Sequence, residues 1–266
     1  MTAPDVFNRA VAYEPYVGRW SRRLAHVFVD WIGAHPRGQW LDVGCGTGAL
    51  TEAILAGAQA SKVLGIDPSA EFVAYAAAAF DDPRVSFVVG NAMELDFQAG
   101  KFDVAAAALV LNFVPDPARA VSEMRRVVRR PGIVAAYVWD YADGMQMMRF
   151  FWDAAVELDP AAGELDEGVR FKICKPPALR ACFESAGLEH VVVRHLDCDM
   201  TFTDFDDYWD PFLGGQAPAP AYAMSLDPVR RDRLRDLIRS RLPIGDDGTI
   251  RLVYRAWAVK GVVPGA

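Results

Sequence analysis

Three glycines at alternate positions, Gly44, Gly46 and Gly48, follow directly on a short apolar run within residues 39–50, QWLDVGCGTGAL. No other stretch restricts the fold so strongly. The run 39–43 has the length and composition of a buried strand. The glycines make a turn whose backbone can approach a ligand closely, and residues 49–56 behind them are compatible with helix. A strand, a glycine turn and a helix start hold a polar ligand over the carboxyl edge of a sheet. Nineteen residues after Gly48 a second apolar run, 62–66, ends in Asp67. That distance sets an acidic side chain at the end of the neighbouring strand, suited to accepting both hydroxyls of a ribose.

The pattern then repeats. Apolar runs at 39–43, 62–66, 85–89, 102–110 and 132–139 predict strands, and helices are predicted over about 48–57, 69–80 and 117–130 between them. Such alternation implies parallel strands joined by right-handed crossovers, hence a doubly wound α/β sheet. Continuous apolar runs such as 104–111 suit strands covered on both faces. A basic cluster at the end of the third helix, Arg125, Arg126, Arg129 and Arg130, reads as a solvated face and helix-dipole partner.

Beyond 139 the alternation stops. Residues 141–175 predict an amphipathic helix rich in Met and aromatics, the Asp159-Pro160 turn and a polar loop to Arg170. A crossover helix over 176–188 ends at Gly187, and 191–195 is a strand. Residues 203–212 read as a short capped helix with Tyr208 and Trp209 among acids. A proline turn at Pro218 and Pro220, a helix over 227–242 and an alternating last strand over 250–259 complete the chain. Ahead of the core, 21–32 predict an amphipathic helix carrying Val27, Phe28 and Trp31. Pro15 and Gly18 interrupt helix before it and leave Tyr13, Tyr16, Arg19 and Trp20 on an irregular strip.

A chain of 266 residues suffices for one large α/β domain, or one domain with an added lobe. Its 52% apolar and 24% charged residues are ordinary for a well-cored globular protein. The net charge of −7 argues against nucleic acid, which needs a basic field, and suits a small neutral or cationic partner. The N-terminus lacks a basic stretch followed by an apolar one, so no signal peptide is expected, and no apolar run reaches membrane-spanning length. Cys45, Cys174, Cys182 and Cys198 form no C-x-x-C pair and partner no histidine pattern. Reduced thiols in a cytoplasmic protein, with no metal site, are the expectation.

Leu41-Asp42-Val43-Gly44-Cys45-Gly46-Thr47-Gly48 closely resembles the first motif of class I S-adenosylmethionine-dependent methyltransferases, and Gly65-Ile66-Asp67-Pro68-Ser69 resembles their second. The likeness is to the type 11/25 and ubiquinone-biosynthesis-methyltransferase group. It implies a single domain over 1–266 with a Rossmann-like, mostly parallel seven-stranded sheet whose last strand is antiparallel. A helical lid over 1–38, and insertions at 141–175 and 203–242 covering the acceptor pocket, belong to the same expectation.

The resemblance also implies S-adenosyl-L-methionine as cofactor. Its binding residues would be Gly44, Cys45, Gly46, Gly48, Asp67 and Pro68, with Asn91, Ala92 and Met93 at the adenine and the Leu109 carbonyl at the methionine amino group. The family often has aspartate where Asn91 stands; asparagine keeps an acceptor oxygen and loses the charge. In the N-terminal strip Tyr16 or Trp20 would cover the sulfonium and Arg19 would meet the methionine carboxylate, simple packing being the alternative. The acceptor pocket would draw on Asn112, Phe113, Trp139, Tyr141, Tyr208 and Trp209.

Methyl transfer from a sulfonium is an in-line displacement that mainly needs two aligned reactants and excluded water. A base matters only where the acceptor must lose a proton. Candidates are Asp140, Asp207 and Asn112, while His26, His35, His190 and His195 read as structural or exposed. The expected function is therefore methylation of an O, N or C nucleophile on a small molecule by a monomer or homodimer, with neither nucleic acid nor membrane as partner. An NAD-dependent oxidoreductase is the alternative, disfavoured by G-x-G-x-G in place of G-x-G-x-x-G and by the lack of a Tyr-x-x-x-Lys pair in the right region. A protein that binds the cofactor without transferring its methyl group is the other.

Overall fold

The computed structural model describes residues 17–33, 37–215 and 217–265. Seven strands form one sheet: β1 Gln39–Val43, β2 Lys62–Asp67, β3 Val85–Val89, β4 Phe102–Ala108, β5 Val128–Trp139, β6 Glu189–Phe202 and β7 Ile250–Val263. They lie in the order β3-β2-β1-β4-β5-β7-β6. The first five are mutually parallel, and β7 runs antiparallel to both of its neighbours, β5 and β6. The expected topology is therefore present, with its reversed strand inside the sheet edge.

Burial explains the residue choice. On β1 Trp40, Leu41 and Val43 are buried, as are Ala105, Ala106 and Ala107 on β4, since helices cover both faces at the centre of the sheet. These helices are α1 Arg19–Ile32, α2 Ala49–Gly57, α3 Ala70–Ala79 and α4 Pro117–Val127. Ser69 caps α3 by accepting from Phe72 N–H at 3.4 Å, and Asp116 caps α4 by accepting from Arg119 N–H at 2.9 Å. Lys260 Nζ donates to the Trp31 and Ile32 carbonyls at 2.9 and 3.0 Å, satisfying the free carbonyl end of α1.

The second half is mostly helical: α5 Gln146–Leu158, α6 Glu167–Arg170, α7 Pro176–Ser185, α8 Phe205–Trp209, α9 Pro218–Ser225 and α10 Pro228–Arg241. Its core is aromatic. Phe151 stacks on Phe212 with centroids 4.6 Å apart, and Tyr208 lies 5.3 Å from Phe202. Among the described residues no helix is long and apolar enough to cross a membrane.

Four expectations are corrected. Helix α4 stops at Val127 rather than 130, because two β-branched valines precede a segment that Pro131 bars from helix. Arg129 and Arg130 are thus strand residues. Arg125 donates to the Gly187 carbonyl, and Arg126 to those of Leu95 and Phe97, so these two tie α4 to neighbouring loops instead of forming a solvated face. Strand β6 is fourteen residues long, not five, because β7 pairs with it from Glu189 to Phe202. Pro218 and Pro220 open α9 rather than a turn, since the first helical turn tolerates the missing N–H.

Candidate functional site

At β1 the sheet changes direction of growth, β2 lying on one side and β4 on the other. The connections leaving β1 and β4 therefore diverge, and a crevice opens beyond their carboxyl ends. A cavity of about 720 Å³ occupies it.

The glycine turn forms one wall. Gly44 and Cys45 both donate their N–H to the Ile66 carbonyl, at 2.7 and 2.8 Å, which binds the turn to the end of β2. Gly44 has φ +74°, and a Cβ there would lie 2.3 Å from Val110 Cγ2, so glycine lets the β1 and β4 ends close together. Gly46 has φ +51° and a Cβ direction with no atom within 4 Å. It faces the cavity.

Asp67 ends β2 and is 8% exposed. Its Oδ2 accepts from Gly46 N–H at 3.1 Å and its Oδ1 from Ser69 N–H at 2.9 Å. Burial pushes the carboxyl up, against the pull of those two donors. Asp42, at β1, accepts from Thr51 Oγ1 at 2.7 Å through Oδ2, while its buried Oδ1 has no hydrogen-bond partner among the described residues. Burial raises its carboxyl to about 7. The Cys45 thiol is pushed up by the same cause and stays protonated, which makes it a wall and not a nucleophile.

Leu109, directly after β4, has φ +61°. A leucine in the left-handed region is strained; its N–H still donates to the Tyr137 carbonyl at 2.8 Å, and the residue lines the cavity where the chain leaves the sheet. Asn91 holds its own turn, its Oδ1 accepting from Met93 N–H at 2.9 Å. Ala92 and Met93 line the cavity beside it.

The opposite end is aromatic. Phe113, Trp139, Tyr141 and Met148 line it. Phe171 braces two of these rings, its centroid 5.4 Å from Phe113 and 5.6 Å from Tyr141. Glu167 also faces this end and is 2% exposed. Its Oε2 accepts from the Trp152 indole N–H. Burial raises the Glu167 carboxyl to about 7, opposed by that bond and by its own backbone N–H.

The structure thus brings Gly44, Cys45, Gly46, Asp67, Pro68, Asn91, Ala92, Met93, Leu109, Phe113, Trp139 and Tyr141 to one cavity. It leaves others out. Gly48 lies behind the turn, where the Phe80 ring takes the place of a side chain. Arg19 pairs with Asp207 at 2.9 Å and lies over Trp20 and Phe202, and Trp20 packs on Phe202 and Tyr254. Helical spacing gives the reason: Val17 and Ser21, four apart, line the cavity, so Arg19 and Trp20 point elsewhere. Tyr16, like Tyr13 and His35, falls outside the described residues.

Tyr208 and Trp209 are core residues rather than pocket walls, Tyr208 Oη donating to the Met147 carbonyl at 2.8 Å. Asp207 accepts from Thr203 N–H at 3.0 Å in the cap of α8. Asp140 is buried at the β5 end, where Oδ1 accepts from Asp143 N–H at 3.4 Å, and it lines no part of the cavity. Asn112 sits between cavity residues without lining it, its buried Nδ2 lacking a partner among the described residues. Glu167 was not among the sequence candidates. Neither a motif nor a period marks it, since its burial depends on Trp152, fifteen residues away, in a four-residue helix.

Residues 41–136 match the family model described as a methyltransferase domain. The chain is 27% identical over 210 residues to demethylmenaquinone methyltransferase of Lysinibacillus sphaericus, covering 71% of this chain and 84% of that protein. It is 34% identical over 137 residues to 2-methyl-6-phytyl-1,4-hydroquinone methyltransferase of Synechocystis, covering 50% of this chain and 43% of that one. The chain spans about half the length of the curated relatives it matches above 30% identity, from 36% to 56%. Its fold superposes on phosphoethanolamine N-methyltransferase 2 of Haemonchus contortus, solved with S-adenosyl-L-methionine, with a TM-score of 0.62, 16% identity and coverage of 99% of this chain and 60% of that chain. The crevice, the glycine turn and the acidic end of β2 meet at one cavity on a Rossmann-like sheet. Residues 41–136 thus carry a methyltransferase domain, and the sheet has the fold of a methyltransferase solved with S-adenosyl-L-methionine.

Proposed function

We propose that this protein transfers the methyl group of S-adenosylmethionine to a small, largely apolar acceptor bound at the aromatic end of the cavity. One observation carries the reading: a single cavity joins a polar, acidic end at Gly46, Asp67 and Asp42 to an aromatic end at Phe113, Trp139 and Tyr141.

The residues fit the cofactor. Open space beyond Gly46 admits a ligand against bare backbone. The Asp67 carboxylate keeps lone pairs for ribose hydroxyls beyond the two it gives to backbone donors. The orphan Oδ1 of Asp42 and the borders of the Leu109 turn suit a cationic amino group. When bound, the cofactor supplies an electrophilic methyl group on a positively charged sulfur. The chain's own part is to align the acceptor and exclude water, for which buried Trp139 and Tyr141 are suited. The N-terminal segment and the 141–175 and 203–242 insertions serve in this reading as the cover, because Val17, Ser21, Tyr141, Met148, Glu167, Ala217 and Pro218 reach the cavity from them. The charge of −7 supports a small acceptor over nucleic acid.

Calorimetric titration with S-adenosylhomocysteine tests the site, with NADH as the contrasting ligand. Micromolar binding of the first and none of the second is the expected result. The reverse pattern would move the protein to the oxidoreductases. Release of S-adenosylhomocysteine from S-adenosylmethionine with a panel of phenols, amines and activated carbons then separates transfer from binding alone.

A further inference from the structure

Three carboxyl side chains line the cavity among the described residues, Asp42, Asp67 and Glu167. The first two lie at the glycine end, where the cofactor reading employs them. Glu167 lies at the other. Its backbone carbonyl accepts from Phe171 N–H at 2.9 Å, and the Phe171 ring touches both Phe113 and Tyr141. Trp152, which donates to its Oε2, lies one helical turn beyond Met148 on α5. A carboxyl group 2% exposed among aromatic rings costs free energy unless a partner meets it. The partner here is an indole N–H, which offsets burial far less than a cation does.

We propose that Glu167 receives the proton of a hydroxyl-bearing apolar acceptor held at the aromatic end of this cavity. The proposal rests on the reading of the other end as the S-adenosylmethionine site. In the transfer the acceptor oxygen forms a bond to the methyl carbon, the carbon–sulfur bond breaks with its electron pair left on sulfur, and the hydroxyl proton passes to the Glu167 carboxylate and on to solvent. A neutral amine acceptor can react without a buried base, because its methylated product carries the extra proton as an ammonium. A hydroxyl acceptor needs one, because its oxygen must shed the proton as the new bond forms. The wall therefore suits an acceptor that must lose a proton, and a hydroxyl is the simplest such group on an apolar molecule.

Position is well held. Arg149 donates to both Asp166 oxygens, at 3.0 and 2.7 Å, and to the Tyr141 carbonyl at 2.8 Å, fixing the residue before Glu167 against the cavity wall. The charged and titratable groups facing Glu167 are Asp166 and Arg170 from its own turn and Cys174 from the next. Burial outweighs them and leaves the carboxyl titrating at about 7, where it can both take and release a proton at neutral pH.

Binding with S-adenosylhomocysteine saturating tests this without turnover. The probes are 1-naphthol and naphthalene, titrated at pH 6 and pH 8 into the wild-type protein and Glu167→Gln. An ionised Glu167 accepts the naphthol O–H, so naphthol should bind wild type about tenfold more tightly at pH 8, while naphthalene shows no such gain. In Glu167→Gln the naphthol affinity should be equal at both pH values, with S-adenosylhomocysteine affinity within about twofold of wild type. Naphthol and naphthalene responding alike in wild type, or a naphthol response that survives in Glu167→Gln, overturns the proposal alone. Failure of the wild-type protein to bind S-adenosylhomocysteine defeats the cofactor reading and this proposal with it.

Discussion

A Cβ on Gly44 would lie 2.3 Å from Val110 Cγ2, whereas one on Gly46 would meet no atom within 4 Å. The two absences therefore do different work, the first in folding and the second in binding. Gly46→Val should leave the circular dichroism spectrum near wild type and abolish S-adenosylhomocysteine binding. Its side chain fills the open space, and the strain of a branched residue at φ +51° costs about 1–2 kcal/mol. Retained micromolar affinity would place the ligand elsewhere. Asp67→Ala removes an acceptor rather than a space, and should weaken binding by roughly 1.5–3 kcal/mol in a folded protein. Unchanged affinity by calorimetry rules that role out. Both positions were legible in the sequence because spacing alone sets them at adjacent strand ends. Glu167 was not, since what makes it unusual is the enclosure that Trp152 and Phe171 provide.

At the scale of elements, alternation of apolar runs with helical periods was enough to order β1 to β5, because a helix follows β1, β2 and β4 and the central strands are buried beneath such helices. The reading weakened wherever partners are distant in sequence. Strand β6 looked short until β7, some sixty residues later, pairs along its length. The segment from Asp159 to Arg170 read as a turn and a polar loop because its short helices, Pro160–Glu164 and α6, carry no period. What holds that segment is the Arg149–Asp166 pair, with side chains 15% and 8% exposed. Removing Asp166 leaves the mostly buried Arg149 with only the exposed Asp153, at 3.2 Å, as an ion-pair partner. Asp166→Ala should therefore cost about 3 kcal/mol in urea unfolding. Amide exchange should rise over residues 159–174 more than over β1 or β4. Equal exchange in mutant and wild type would show that the segment is held by apolar contacts alone.

For the molecule as a whole, the cavity that fits a ligand is a liability without one. Asp42 and Glu167 both titrate at about 7 in the folded protein, because burial disfavours their charged forms. In the unfolded chain they ionise near their ordinary values of about 4. Between those limits the folded state holds more protons than the unfolded, so stability falls as pH rises through the window from about 4 to 7. Their contribution is fully present below about pH 4 and lost above about 7. For Glu167 the loss is on the order of 3 kcal/mol. Glutamine at this position keeps the shape, still accepts from Trp152 and carries no charge at any pH. Urea unfolding of the ligand-free wild type and Glu167→Gln at intervals from pH 4.5 to 8 isolates the effect from the other titrating groups. Wild-type stability should fall relative to the variant by roughly 3 kcal/mol across that range. A difference that stays flat would mean Glu167 is ionised and solvated at neutral pH, and that the aromatic end of the cavity is wetter than its walls imply.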